Sequence, residues 1–147
     1  ADYPAAVLGL GATVVTDRRE IPADDFFQGM FTTALEDGEI IVRIVFPIPA
    51  RAGYAKFANP ASRYAMTGVF VAQMKDGSVR VAVTGAGQDG VFREGAMEEA
   101  LSSSWSADAV AGIKVDASDM LSDIHGDAAY RANLVTVMAK RAVAAAG

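Results

Sequence analysis

Two apolar stretches separated by a short polar turn form the clearest pattern in the chain. Residues 65–74 are apolar almost throughout, and residues 79–84 alternate between valine and other residue types. The turn contains Asp76-Gly77, a pair that tight hairpin turns favour because their positive-φ positions strain most other residues. The pattern predicts a β-hairpin whose second strand turns its valines to the core. The first strand is apolar on both faces, and we expect the cover of one face to lie outside this chain.

Before this hairpin, short helical and extended patterns alternate. In order, they predict a helix at 2–10, a strand at 11–16, an edge strand ending at Pro22, a helical turn at 23–29, a loop at 32–38 and a strong strand at 39–46. The run at 47–53, with prolines at 47 and 49, interrupts both periodicities. The sequence therefore predicts a domain boundary, with residues 1–49 ending one domain and residues 50–147 forming another.

After the boundary, helices follow strands. The pattern predicts a strand at 53–58, the hairpin, a flexible glycine loop at 85–90, helices at 93–101 and 106–111, and a final helix from near Asp127. The final helix places Tyr130, Leu134, Val137 and Met138 in one apolar arc, so we expect it to lie on the sheet. Arg131 lies near that arc and must reach solvent or a carboxylate.

Composition excludes several kinds of site. Thirteen basic and eighteen acidic residues give a net charge of −5, so a broad nucleic-acid footprint is not expected. The chain has no cysteine, which excludes disulfides and thiolate ligation of zinc or iron–sulfur clusters and fits a reducing, cytoplasmic location. One histidine cannot supply a two-histidine metal site. No apolar run approaches the roughly twenty residues that span a bilayer.

No catalytic constellation emerges from the residues themselves. Asp24-Asp25 suits the start of a helix, Glu98-Glu99 suits a solvated helix face, and His125 stands beside a predicted helix cap. The first residues contain neither an initiator methionine nor a signal peptide, so we expect a piece of a longer chain. From the residues alone, the expectation is an α+β domain preceded by part of another.

Several short segments, in one order along the chain, resemble a known family. They are Asp2-Tyr3-Pro4-Ala5-Ala6, Leu10-Gly11-Ala12, Phe26-Phe27 with Gly29, Gly38-Glu39-Ile40-Ile41 followed by Pro47, Tyr54-Ala55-Lys56-Phe57, residues 79–87, Ser122-Asp123 with His125-Gly126, Ala128 and Tyr130-Arg131, and Lys140-Arg141-Ala142. Together they resemble the C-terminal part of the medium, FAD-binding subunit of the molybdenum hydroxylases, the carbon monoxide dehydrogenase and xanthine dehydrogenase family.

The resemblance implies both a fold and a function. The fold would be the end of an α/β FAD-binding domain, followed by a small C-terminal domain with about three antiparallel strands and a helical layer. Electrons would leave a molybdenum cofactor in a large subunit and pass through iron–sulfur clusters in a small subunit. FAD in the medium subunit would then deliver them to an external acceptor. Such a protein is an oxidoreductase subunit with two protein partners.

The resemblance also implies cofactor contacts at three positions, each with a structural alternative. Asp2 matches an aspartate that helps to hold FAD, or it is a helix cap. Ile41 matches an aliphatic residue beside the isoalloxazine, or it is ordinary core. Lys56 matches a lysine that reaches the flavin, or it is a surface residue of a strand. No catalytic and no metal-binding residue is expected in this chain.

Two departures from the family pattern limit what the resemblance implies: this chain would lack most of the FAD site, and the substrate subclass and the details near the flavin stay open. The family's two glycine-rich pyrophosphate loops precede the segment that this chain matches. In addition, Ser62-Arg63 stands where several relatives have Gly-Asp. The alternative is a cofactor-free docking module of a multisubunit complex, which would use the hairpin and the final helix.

Overall fold

The computed structural model describes residues 1–146. These residues contain five α-helices and nine strands, and the strands form three antiparallel sheets. The predicted α+β fold is therefore confirmed.

Residues 2–45 form two helices and five strands, and the strands belong to two small sheets. The elements are α1 (Asp2–Gly9), β1 (Thr13–Thr16), β2 (Glu20–Pro22), α2 (Ala23–Phe26), β3 (Phe27–Gly29), β4 (Thr32–Thr33) and β5 (Ile41–Val45). In the larger sheet β1 lies between β2 and β5. The prediction of one helical turn at 23–29 followed by a loop is partly wrong, because β3 and β4 form a small hairpin. Phe31, at a φ of 59°, turns the chain back between them.

The third sheet is a four-stranded meander. It consists of β6 (Arg51–Ala58), β7 (Ala65–Gln73), β8 (Val79–Gly87) and β9 (Gly90–Arg93), paired in that order. The predicted hairpin is β7–β8. The prediction of a flexible loop at 85–90 is wrong, because residues 85–87 end β8 and residue 90 begins β9. The sheet has four strands, whereas the resemblance implies about three. Gly85 has a φ of +79° and lies so close to the carbonyl of Ala65 that a Cβ would collide with it. This glycine thus serves close packing within the sheet.

One face of the meander is covered by helices in the last third of the chain. They are α3 (Gly95–Ser103), α4 (Ala107–Ala111) and α5 (Ala128–Ala145), with a short 3₁₀ turn at Ala117–Asp119. Asp127 caps α5 by accepting a hydrogen bond from the Tyr130 amide at 2.7 Å. Leu134 and Met138 are buried as predicted, whereas Tyr130 is 42% exposed. The buried face of α5 is therefore rotated from the predicted arc.

The opposite face of β7 and β8 is covered by α1, so the expectation that this cover lies outside the chain is wrong. Val7 and Leu8 of α1 share a hydrophobic core with Ala82 of β8. The Arg80 guanidinium donates to the Leu8 carbonyl at 2.8 and 3.0 Å, which satisfies a backbone acceptor at the end of α1. The same guanidinium pairs with Asp24 at 2.7 Å. These contacts join the elements before residue 49 to the meander.

Arg131 is fully buried on α5, and it finds a carboxylate as expected. Its guanidinium donates two hydrogen bonds to Asp123, at 2.8 and 2.9 Å. It also donates to the carbonyls of Met66 and Gly85, at 2.8 and 3.1 Å. This one side chain therefore fixes the loop before α5 against the ends of β7 and β8.

The strand predicted as the strongest, β5, is an edge strand with little cover. Its five residues are all exposed. The exposed large apolar residues from 40 to 48 are Ile40, Ile41, Val42, Ile44, Val45, Phe46 and Ile48. Ile41 itself is 39% exposed, so its alternative interpretation as ordinary core is wrong.

Candidate functional site

Two of the three predicted site residues meet at the start of α1. The Lys56 ammonium on β6 donates to Oδ2 of Asp2 at 3.1 Å. The Tyr54 hydroxyl, two residues earlier on β6, donates to Oδ1 of Asp2 at 2.5 Å. Asp2 does not cap its own helix, because no side chain caps the N-terminus of α1. Its carboxylate instead joins α1 to β6.

The alternation of β6 explains why Tyr54 and Lys56 reach the same carboxylate. Residues two apart on a strand share a face, and these two share the face that meets α1. Ala55 and Phe57 lie on the other face, against the core beneath α5. An acidic residue in the first turn also complements the helix dipole, which makes Asp2 favourable at that position.

The surrounding groups hold Asp2 in its ionised form. The hydrogen bond from Tyr54, aided by Lys56, lowers the pKa of the Asp2 carboxyl below its usual range, against the opposing effect of burial. Burial and the neighbouring carboxylate raise the pKa of Tyr54, so its hydroxyl stays a donor at physiological pH. The Asp2 side chain is 45% and the Lys56 side chain 31% exposed. Both groups therefore retain accessible hydrogen-bonding capacity.

The third predicted site residue, Ile41, lies on a different sheet. It begins β5 and pairs with Thr16 of β1. Its side chain is partly exposed and lies in the apolar segment 40–48. The structure thus brings Asp2 and Lys56 together but leaves Ile41 on a separate, exposed apolar surface.

An apolar groove of about 520 Å³ opens beside the N-terminus of α1. Among the residues that line it are Ala1, Pro4, Phe31, Tyr64 and Leu121. Ala1 lines this groove, and Asp2 is the next residue of the chain. Mostly apolar walls with a few polar groups are typical of small-molecule sites.

Local backbone geometry places Tyr64 in the groove wall. The Asn59 side chain accepts hydrogen bonds from the amides of Ala61 and Ser62, at 2.9 and 3.3 Å. Arg63 then takes a φ of 65°, and the Asn59 amide donates to the Tyr64 carbonyl at 2.8 Å. Sequence reasoning missed Tyr64 and Phe31 as groove residues. The asparagine turn signal before Tyr64 was visible, but the groove depends on contacts between distant segments.

The described residues contain neither a cluster of metal ligands nor a helix that could span a membrane. Residues 1–146 contain no group of three or more histidine, aspartate or glutamate side chains suited to a metal ion. Within the same residues, every helix is too short or too polar to cross a bilayer.

Comparison with known proteins identifies relatives along the chain. Residues 1–49 match the family described as the FAD binding domain in molybdopterin dehydrogenase. The chain is 31% identical to the carbon monoxide dehydrogenase medium chain of Hydrogenophaga pseudoflava, over 99% of this chain and 55% of the relative. It is 33% identical to the nicotine 6-hydroxylase medium subunit of Paenarthrobacter nicotinovorans, over 99% of this chain and 56% of the relative.

Solved structures that resemble this chain include a CO dehydrogenase, in agreement with the sequence comparison. A chain of the reconstituted CO dehydrogenase from Oligotropha carboxidovorans superposes with a TM-score of 0.81 and 25% identity, over 98% of this chain and 55% of that one. The chain thus spans about half the length of the relatives that it matches.

Proposed function

We propose that this chain, which is similar over nearly all of its length to medium subunits of molybdenum hydroxylases, belongs to that family and is the C-terminal part of an FAD-binding oxidoreductase subunit. Its complete subunit would receive electrons from iron–sulfur clusters in a small subunit and pass them to an external acceptor. A large subunit with the molybdenum cofactor would select the substrate. The collinear match to medium subunits over 99% of this chain supports this assignment.

We also propose that residues 1–49 end the FAD-binding domain and that residues 50–147 form the C-terminal domain. Two observations support this division. The chain leaves the β1–β5 sheet at Val45 and enters the meander at Arg51. The family match covers residues 1–49. Because α1 packs on the meander, we expect the two parts to unfold together.

The residues at the start of α1 suit part of a flavin. The pyrimidine end of an isoalloxazine carries an N–H donor and carbonyl acceptors, and Asp2 and Lys56 offer an accessible acceptor and accessible donors. The Lys56 cation would favour the anionic reduced flavin. The resemblance assigns Ile41 a place beside the ring, although Ile41 lies on a different sheet from Lys56 and is not in the Asp2–Lys56 pair. When bound, FAD supplies the redox chemistry, and these residues hold and tune it.

The single observation that carries the cofactor role is the partly exposed Asp2–Lys56 pair at the start of α1. The test is to produce the complete subunit that contains this chain and measure its FAD content by absorbance after release. We expect a yellow protein with close to one FAD per subunit. A complete subunit that folds but does not retain added FAD would overturn the proposal.

The cytoplasmic location stays a prediction.

The exposure of β5 favours a docking role that differs from the predicted cofactor-free module of the hairpin and final helix. Edge strands with apolar side chains invite pairing with another segment. We assign the cover of β5 to the part of the medium-subunit polypeptide that the relatives have beyond the matched span, which is close to half of their length. On this assignment docking and flavin binding belong to one subunit, and the docking role does not exclude the cofactor.

A further inference from the structure

We propose that Tyr54 is a positioning residue for the flavin site, because its hydroxyl fixes the Asp2 carboxylate in the orientation that Asp2 and Lys56 need to act together. This inference rests on the proposed cofactor role of Asp2 and Lys56. Tyr54 would act on the flavin site through Asp2, without touching the cofactor itself.

Each oxygen of the Asp2 carboxylate has its own donor. Tyr54 donates to Oδ1 at 2.5 Å, and Lys56 donates to Oδ2 at 3.1 Å. Two donors on different oxygens fix the plane of a carboxylate, whereas one flexible lysine would leave it free to rotate. Tyr54 has a rigid ring, so its hydroxyl defines the position of Oδ1 more closely than the lysine defines Oδ2.

Tyr54 is itself held by its neighbours. Its ring packs against Phe70 on β7, with the ring centroids 6.3 Å apart. On the same strand, Gly68 leaves the space that the hydroxyl occupies. A Cβ at position 68 would lie 2.5 Å from the Tyr54 hydroxyl oxygen and 3.1 Å from Cε2. Any side chain at Gly68 would therefore push Tyr54 off Asp2.

This contact also connects distant parts of the chain. Asp2 and Tyr54 are 52 residues apart in sequence. The hydrogen bond therefore ties the first turn of α1 to β6 and sets the distance between Asp2 and Lys56. A loss of this contact would leave both charged groups present but no longer held in one arrangement, and preorganisation of such groups is what strengthens binding.

The experiment uses the complete subunit with Tyr54→Phe, Asp2→Asn and, as control, Tyr130→Phe on the exposed part of α5. We would measure the Kd for FAD, the flavin midpoint potential and Tm. Tyr54→Phe keeps the ring packing, so we expect an unchanged Tm within about 3 °C. We expect FAD affinity to fall about tenfold, as for the loss of one hydrogen bond to a charged group, and the midpoint potential to shift. Tyr130→Phe should match the parent in all three.

Gly68→Ala provides a second, independent displacement of Tyr54. It should weaken FAD binding in the parent and have a smaller effect in the Tyr54→Phe background, because the closest contact is then absent. If Asp2→Asn weakens binding while Tyr54→Phe leaves both affinity and potential unchanged, the positioning role is wrong and the proposed function stands. If Asp2→Asn also has no effect, the positioning role of Tyr54 and the cofactor role of Asp2 are both wrong, whereas FAD retention by the complete subunit tests the proposed function separately.

Discussion

Gly9, at the end of α1, lies directly against the ring of Phe70 on β7. A Cβ at Gly9 would stand 2.6 Å from Cδ1 of that ring, closer than atoms in contact allow. The absence of a side chain at this position lets α1 approach the meander and cover its second face. The same approach brings Asp2 to Tyr54 and Lys56.

Gly9→Val should therefore separate α1 from the sheet. We expect a loss of about 1–3 kcal/mol in the free energy of unfolding, the usual cost of overpacking a close contact. Gly112→Val is the matched control, because no atom lies within 4 Å of a Cβ there. Urea denaturation of the two variants gives the comparison. Equal midpoints would contradict the close packing of α1.

Leu134→Asp should unfold the core beneath α5. Leu134 is 5% exposed, so a carboxylate at this position would be removed from water. We expect a cost of roughly 4 kcal/mol or more. Asn133→Asp, one position away on the exposed side, is the control and should stay close to the parent. Far-UV circular dichroism during thermal unfolding measures both, and a folded Leu134→Asp variant with the parent's Tm would show that the assigned helix face is wrong.

Glu39 should make stability depend on acid pH. Its buried carboxylate accepts hydrogen bonds from Arg19, Thr16 and the Glu36 amide. These contacts, led by Arg19, lower the pKa of Glu39 from 4.5 to about 2. Because the folded pKa lies below the unfolded value, the stabilisation is complete above about pH 4.5 and is lost as the pH falls towards 2.

Glu39→Gln is the test of that dependence. We expect a lower Tm than the parent at pH 7 and a smaller decrease between pH 5 and pH 3. Glu20→Gln, at an exposed position of β2, should follow the parent across the same range. Parallel curves for Glu39→Gln and the parent would rule out this ion pair as a source of acid sensitivity.

Exposed β5 should make the 147-residue chain self-associate. Val42 is 61% exposed on this edge strand, and Val42→Lys adds a charge that opposes strand pairing. We expect less association in light scattering after size exclusion, less binding of a hydrophobic dye, and little change in Tm. Ile124→Lys, at a residue 95% exposed on a different segment, is the control. In the complete subunit Val42→Lys should lower FAD content, and full retention there would contradict the assigned cover of β5.

Local signals predicted the elements that local chemistry determines. The Asp76-Gly77 turn predicted the β7–β8 hairpin, and Asp127 predicted the start of α5. The extent of β8, the strand β9 and the cover by α1 depend on contacts between distant residues, such as Gly85 with Ala65. The spacing of apolar residues does not indicate contacts between distant segments. The extent of β8, the strand β9 and the cover by α1 were therefore missed or predicted wrongly.

The candidate site shows the same limit. Resemblance to a family selected Asp2, Ile41 and Lys56, but neither pattern nor resemblance indicated that Asp2 and Lys56 form an ion pair. That pair joins residues 54 positions apart and depends on the docking of α1. The cofactor roles of all three residues stay predictions.

Flavin retention by a Lys56→Ala variant of the complete subunit tests the central claim most directly. Lys75→Ala, in the exposed β7–β8 turn, is the matched control. We expect both variants to fold with the parent's Tm, and only Lys56→Ala to lose FAD during gel filtration, with a raised Kd in titration. Equal FAD occupancy in Lys56→Ala, Lys75→Ala and the parent would contradict the assignment of the Asp2–Lys56 pair to the flavin.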